Sequence, residues 1–227
     1  MAAVRGGAMT PVRAKTARWE RRPDERPQEL LEAALHVFAT QGYRTTRLEQ
    51  VAAAAGVTKG AVYHYFNNKE ELLLRALEQY QERAFGRLEE ALRRERGPSS
   101  ARIRLVFRRA FGGDDPVRRD VLRLLQGVAY EVPDAYRRWI AKGPMKGWRL
   151  VASLIEEGKA AGEFRPDVDS DVAARVVMTG VMVQIIWQRH ADDIRGLAVD
   201  HDRLIDSAVD LLLAGLRPAV AVRPRAS

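Results

Sequence analysis

The sequence predicts an all-α fold. Three observations carry this. Apolar residues recur at three- and four-residue steps, no run alternates with a period of two, and glycines and prolines punctuate the helical pattern. The expected units are a disordered basic arm over residues 1–22, a three-helix unit over 23–69, a larger helical body over 70–217 and a flexible tail over 218–227.

The arm sets Arg5, Arg13, Lys15, Arg18, Arg21 and Arg22 against Glu20 alone, with two glycines and a proline. Such a segment cannot bury a core, and it either touches phosphates or is a plain tail. From Pro27 an apolar stripe begins: Leu30, Leu31, Ala34, Leu35 and Phe38. Pro27 suits a first helical turn and Gly42 suits the stop. Arg47–Ala55 reads as a second helix, Gly56 as a break, and Thr58–Phe66 as a short third helix. Asn68 with Glu71 three residues on has the form of an N-cap. It opens a long helix with the stripe Leu73, Leu77, Tyr80, Ala84, Leu88 and Leu92, ending near Gly97-Pro98. Beyond it, Gly112-Gly113, Pro116, Pro133, Gly143-Pro144, Gly162, Pro166 and Gly196 separate five or six further helices.

Lys and Arg total 38 and Asp and Glu 30, a net charge of +8. A basic chain suits a polyanionic partner. With no cysteine, disulfides, thiolate nucleophiles and cysteine-held metals are excluded, which fits a cytoplasmic protein. The N-terminus has no apolar core of a signal peptide. Val172–Trp187, broken by Arg175, Thr179 and Gln184, reads as too short to span a bilayer, so no membrane partner is expected.

Residues 48–62 meet the demands of a helix-turn-helix. Ala52 is small where two helices cross, Gly56 supplies the turn, and Val51, Ala55, Val57 and Val62 are apolar where the helices must hold together. The third helix divides by face, with Val62 and Phe66 inward and Lys59, Gly60, Tyr63 and His64 outward. A helix entering the major groove presents its first turns to base edges. Lys59 can donate to guanine, Gly60 admits the backbone and Ala61 can meet a thymine methyl. Tyr63 and His64 can donate to phosphates. Thr58, as N-cap, turns the positive helix end to the duplex. Thr46 (as N-cap of the second helix), Arg47 and Lys69 are expected to grip phosphates on either flank. Glu49 is expected to turn sideways to Arg44 or Arg47.

The run from Leu30 to Leu72 resembles the DNA-binding domain of the TetR family of bacterial transcriptional regulators. The matching pieces are AALHVFATQGY, the paired threonines before the second helix, VAAAAGV, the G-x-x-Y-x-Y-F core and the following NKEEL. The resemblance implies a homodimer of all-helical chains, a linking fourth helix and a ligand-binding body. It also implies that Thr46, Lys59, Gly60, Ala61, Tyr63, His64 and Lys69 lie at or near DNA. The expected function is a repressor, released from a near-palindromic double-stranded operator by a small, lipophilic effector. An activator or architectural DNA binder is the alternative, and an all-helical enzyme or carrier a further one.

The body is read from its own residues. The last helix, His201–Leu216, is apolar over most of its circumference, and Val172–Trp187 shows the same excess. A four-helix dimer interface is therefore expected, with Val181, Ile185, Leu204, Ala208 and Leu212 in it. Tyr130, Trp148, Met178, Gln184 and Trp187 are the expected effector contacts. No dense charge cluster accompanies them, which favours a neutral or lipophilic ligand. His190, Asp192, Asp193 and the pair His201-Asp202 read as solvated surface rather than metal ligands. No nucleophile–base spacing suggests catalysis, and no cofactor is expected.

Overall fold

The computed structural model describes residues 26–113, 115–188 and 193–218. The arm expected at 1–22, residues 219–227 of the expected tail, and His190 and Asp192 lie outside the described residues. Ten helices run in the order α1 (Arg26–Gln41), α2 (Leu48–Ala54), α3 (Lys59–Tyr65), α4 (Lys69–Arg94), α5 (Ser99–Phe111), α6 (Pro116–Glu131), α7 (Pro133–Lys142), α8 (Pro144–Ala160), α9 (Ser170–Gln188) and α10 (His201–Leu216). No strand occurs among the described residues.

The local signals work as the chemistry requires. Gly42 ends α1 with φ +86°, and its N–H donates to Phe38 O at 2.8 Å. This left-handed cap favours glycine because other side chains crowd the backbone there. Asn68 caps α4, accepting from the Glu71 N–H at 2.8 Å. The Glu71 carboxylate in return accepts from the Asn67 N–H at 2.9 Å, one residue earlier than a capping box would place it. Prolines open α6, α7 and α8, where no N–H is needed.

Two apolar cores organise the chain. The first joins α1, α2 and α3 to the N-terminal half of α4, and continues through Val121, Leu124, Leu125 and Val128 of α6 to Ala135 of α7. The second joins α5, α8, α9 and α10 around Phe107, Ile155, Val181 and Val209. Helix α4 serves both, through Leu72, Leu73, Ala76 and Leu77 in the first and Leu88 in the second. The three-helix head thus has no core of its own that closes at residue 69, because α6 fills its underside.

Helix α9 spans 19 residues and by length and composition is long and apolar enough to cross a membrane, so the expectation that this run is too short does not hold. It packs on α8 and α10 and supplies the second core. The dimer residues expected on α9 and α10 need correction. Val181, Ile185 and Leu212 are buried within one chain, where they fill the second core, and are not available to a partner. Leu204 and Ala208 are half-buried. The apolar surface left outside is a different strip, with Val176 66% and Leu211 75% exposed beside Gly180, Ala214 and Gly215.

Candidate nucleic-acid interface and effector cavity

Helix α3 is held by its inner face. Val62 is fully buried, Phe66 nearly so, and both lie in the first core. The turn before it passes through Gly56 at φ +66°, and Ala52 is buried at the α2–α3 crossing. Thr58 caps the helix, its hydroxyl accepting from the Ala61 N–H at 3.2 Å. Lys59, Gly60, Tyr63 and His64 all face solvent, and Ala61 is half-buried. Tyr65, also exposed, stands edge-on to His64 with ring centroids 5.2 Å apart, so the outer face carries a third polar aromatic that face-counting missed. The signal for it is the run Tyr63-His64-Tyr65 at the last turn of a short helix.

Two flanking expectations change, those for Thr46 and Lys69. Thr46 is only 2% exposed, and its hydroxyl donates to Gly42 O at 2.7 Å. It closes the α1–α2 turn instead of capping α2 or reaching outward. Arg47 occupies the cap position and is exposed, and its N–H is accepted by Gln50 Oε1 at 2.7 Å. Lys69 points inward. Its ammonium donates to Tyr43 O at 2.9 Å and Thr46 O at 3.1 Å, and lies 4.4 Å from the centre of the Tyr43 ring. The first turn of α4 would repel this cation, and the α1–α2 loop takes it up through its carbonyls.

Glu49 pairs with neither Arg44 nor Arg47. It pairs with Lys59 on α3, Oε1 to Nζ 2.5 Å, on the exposed face of the motif. The hydrogen bond from Lys59 holds the Glu49 carboxyl below the usual carboxylate range, and Glu49 in turn raises the Lys59 ammonium above its ordinary value. The Lys59 ammonium also lies 5.8 Å from the Tyr63 ring centre. The outer face therefore presents Arg47, the Glu49–Lys59 pair, Tyr63, His64 and Tyr65 together.

The body holds a cavity of about 180 Å³ where the two cores meet. From the first core come Val121 and Trp139, from the second Leu88, Phe111, Met178 and Met182, and α4 adds the buried polar Gln81 between them. Three buried polar atoms on its lining residues have no hydrogen-bond partner among the described residues: Gln81 Oε1, Trp139 Nε1 and Arg118 Nε. Such orphaned groups are costly unless a ligand or water meets them. The Gln81 amide is itself anchored, Nε2 donating to Trp139 O at 2.8 Å. Burial pushes the Tyr80 hydroxyl up, the nearby Asp115 carboxylate adds to the rise, and Arg118 and Arg87 oppose it. Tyr80 is thus a neutral donor at the wall.

Of the expected effector contacts, Met178 lines this cavity, and Tyr130, Trp148, Gln184 and Trp187 do not. A helix turns about 100° per residue, so Trp187, nine residues past Met178, faces the opposite way; it is half exposed. Tyr130 stands in the same relation to Val121 and is 89% exposed. Gln184 is two residues beyond Met182, again a different face. Trp148 packs on the second core under the Arg175 guanidinium, 4.9 Å from its ring. The expectation of few charges also fails, because Arg87, Arg109 and Arg118 converge on the cavity from three helices, with Asp115 as the one acid among its lining residues. No sequence window holds those three together. Gln81 did leave a trace, a polar residue at core spacing between Leu77 and Leu88.

Comparison with known proteins agrees with this geometry. The family model for bacterial regulatory proteins of the tetR family matches residues 30–76, and that for the C-terminal domain of AefR-like transcriptional repressors matches 114–216. The transcriptional regulator AcuR of Cereibacter sphaeroides is 31% identical over 160 residues, 67% of this chain and 71% of that protein. The HTH-type transcriptional repressor KstR2 of Mycolicibacterium smegmatis is 27% identical over 168 residues, 74% of this chain and 81% of the relative. Among solved structures, FadR of Bacillus subtilis in complex with stearoyl-CoA aligns with a TM-score of 0.67 at 23% identity, covering 84% of this chain and 99% of that one. A regulator from Saccharomonospora viridis in complex with choline aligns with a TM-score of 0.73 at 20% identity, covering 86% and 99%. The helix-turn-helix, the all-helical body and these matches together establish that the chain belongs to the TetR family and is a DNA-binding transcriptional regulator of the repressor type.

Proposed function

We propose that two copies of this chain bind a near-palindromic operator and that a small amphipathic anion releases them. The carrying observation is the position of the cavity on the seam between the two cores, one of which contains the recognition helix. A ligand entering the seam must part or re-pack α6 and α4 against α5 and α9. The head shares its core with α6, so it follows.

The dimer is supported by the exposed strip of α9 and α10, Val176, Leu211 and their small neighbours Gly180, Ala214 and Gly215. An apolar strip with small residues allows close approach of a second copy. Two recognition helices then reach successive major grooves about 34–36 Å apart. Ligand charge follows from the wall. Arg87, Arg109 and Arg118 face one carboxylate, Asp115, whose Oδ1 is occupied by the Val117 and Arg118 N–H groups at the α6 cap. That sign suits the stearoyl-CoA of the FadR complex and not a cation such as choline. The protein would act in the cytoplasm, on the chromosome, with no membrane partner.

A gel-shift titration with DNA upstream of the protein's own gene, at stated moderate salt, tests the reading. Binding at least a hundredfold tighter than to random DNA is expected, because non-specific binding is set by salt alone. Equal affinity for both would sink it.

A further inference from the structure

Resting on the effector reading above, we infer that the cavity opens between α4 and α5, and that Arg87 and Arg109 seat an oxyanion carried by an apolar chain. A cavity of about 180 Å³ is small beside the roughly 300–1,000 Å³ usual for ligand sites. A second hollow of about 570 Å³, more open, lies on the surface along α4 and α5. Arg87 and Arg109 line both, so the two spaces meet at these side chains. Both arginines are exposed, and neither has a hydrogen-bond or ion-pair partner among the described residues. Most nearby arginines are engaged: Arg118 donates to the carbonyls of Ala110 and Gly112, Arg94 pairs with Glu90, and Arg83 with Glu32. Two free guanidiniums at an apolar mouth are matched to carboxylate or phosphate, which accept paired N–H bonds.

Gly86 strengthens the assignment. It lies inside the long helix α4, exposed, next to Arg87 and lining the surface hollow, and a Cβ there would meet nothing within 4 Å. Glycine inside a helix costs roughly 1 kcal/mol relative to alanine, and neither packing nor φ requires it here. A bare backbone beside Arg87, in the hollow that Arg109 also lines, leaves room for a bulky head to lie against the helix. The arrangement therefore suits a ligand whose chain enters between Phe111, Met178 and Met182 while its anionic head rests on α4 and α5.

The test is direct binding to the full chain without DNA, followed by the fluorescence of the protein's tryptophans, of which Trp139 lines the cavity. The probes are stearoyl-CoA, stearate and coenzyme A. Wild-type protein should bind at least one of the two chain-bearing probes and bind coenzyme A more weakly. Preference for stearate identifies a carboxylate head, and preference for stearoyl-CoA a phosphate head. Arg87→Gln and Arg109→Gln should each weaken the preferred probe about tenfold or more. Gly86→Glu should do the same, while Gly86→Ala, the control for helix effects, should change it less than twofold. If the double arginine variant binds as tightly as wild type, the seat is wrong and the cavity reading stands. If none of the three probes binds wild type but an uncharged apolar dye does, and Met178→Trp blocks that dye, the seat is again overturned alone. Failure of every probe and the dye would overturn both.

Discussion

Glu49 places a carboxylate on a face otherwise suited to phosphates, and Lys59 is where its charge goes. In the free protein each neutralises the other, so the most basic group at the start of α3 is partly spent. DNA must compete with that pair. Glu49→Gln should therefore tighten DNA binding by up to about tenfold, and should steepen the dependence of log affinity on log salt by about one unit as Lys59 gains a phosphate. A salt titration of operator affinity reads both effects, and an unchanged slope would mean that Lys59 stays on residue 49 or on a base. Lys69 makes the opposite case. Its ammonium stitches α4 to the α1–α2 loop, so Lys69→Met should lower stability by about 1–3 kcal/mol in denaturant unfolding. Side-chain type alone could not separate these two lysines. Both follow a polar cap residue at a helix start, and only the neighbouring loop decides whether the cation turns out or in. Thr46 carries the same ambiguity, since a threonine before a helix looks like a cap until the Gly42 carbonyl is found beside it.

At the level of helices, punctuation carried most of the information. Gly42, Gly56, Asn68, Pro116, Pro133 and Pro144 each mark an end where the backbone needs what that residue supplies. The rest was hidden because helical periodicity gives a face but not its partner. Helix α9 shows this: apolar nearly all round, it offers two candidate faces, and the sequence assigned the inner one to a second subunit. A less obvious junction joins α8 to the loop after it. Gly158 is buried, and a Cβ there would overlap the ring of Phe164, itself nearly fully buried. Gly158→Ala should cost about 1–3 kcal/mol through overpacking, seen as a lower thermal midpoint. Gly162 sits in the same turn at φ +73°, so substitution there would add backbone strain to the same junction.

For the molecule as a whole, the dimer prediction can be tested without harming the fold, because the residues involved are already exposed. Val176→Glu with Leu211→Glu should leave helicity and thermal midpoint close to wild type. It should convert a dimer to monomer in sedimentation, and weaken operator binding by at least about a hundredfold as the second grip is lost. A wild-type chain that sediments as a monomer at operator-binding concentrations would refute the arrangement. The fold class and the helix-turn-helix were legible because they rest on short-range spacing. The cavity was not, since its wall is drawn from α4, α5, α6, α7, α8 and α9, and its three arginines stand far apart in the chain.

Helix α4 runs 26 residues, about 39 Å, with its first half embedded in one core and its second half in the other. Pivoted near its middle, it would work as a lever in the release proposed above. A tilt of about 5° at the arginine end swings the opposite tip by roughly 2 Å, a shift carried straight to the turn that Lys69 anchors. Repeated with opposite sense in the proposed twofold mate, the change in separation would double to about 3–4 Å. This is comparable to the rise of one base pair, enough to put a pair of reading heads out of phase with their site.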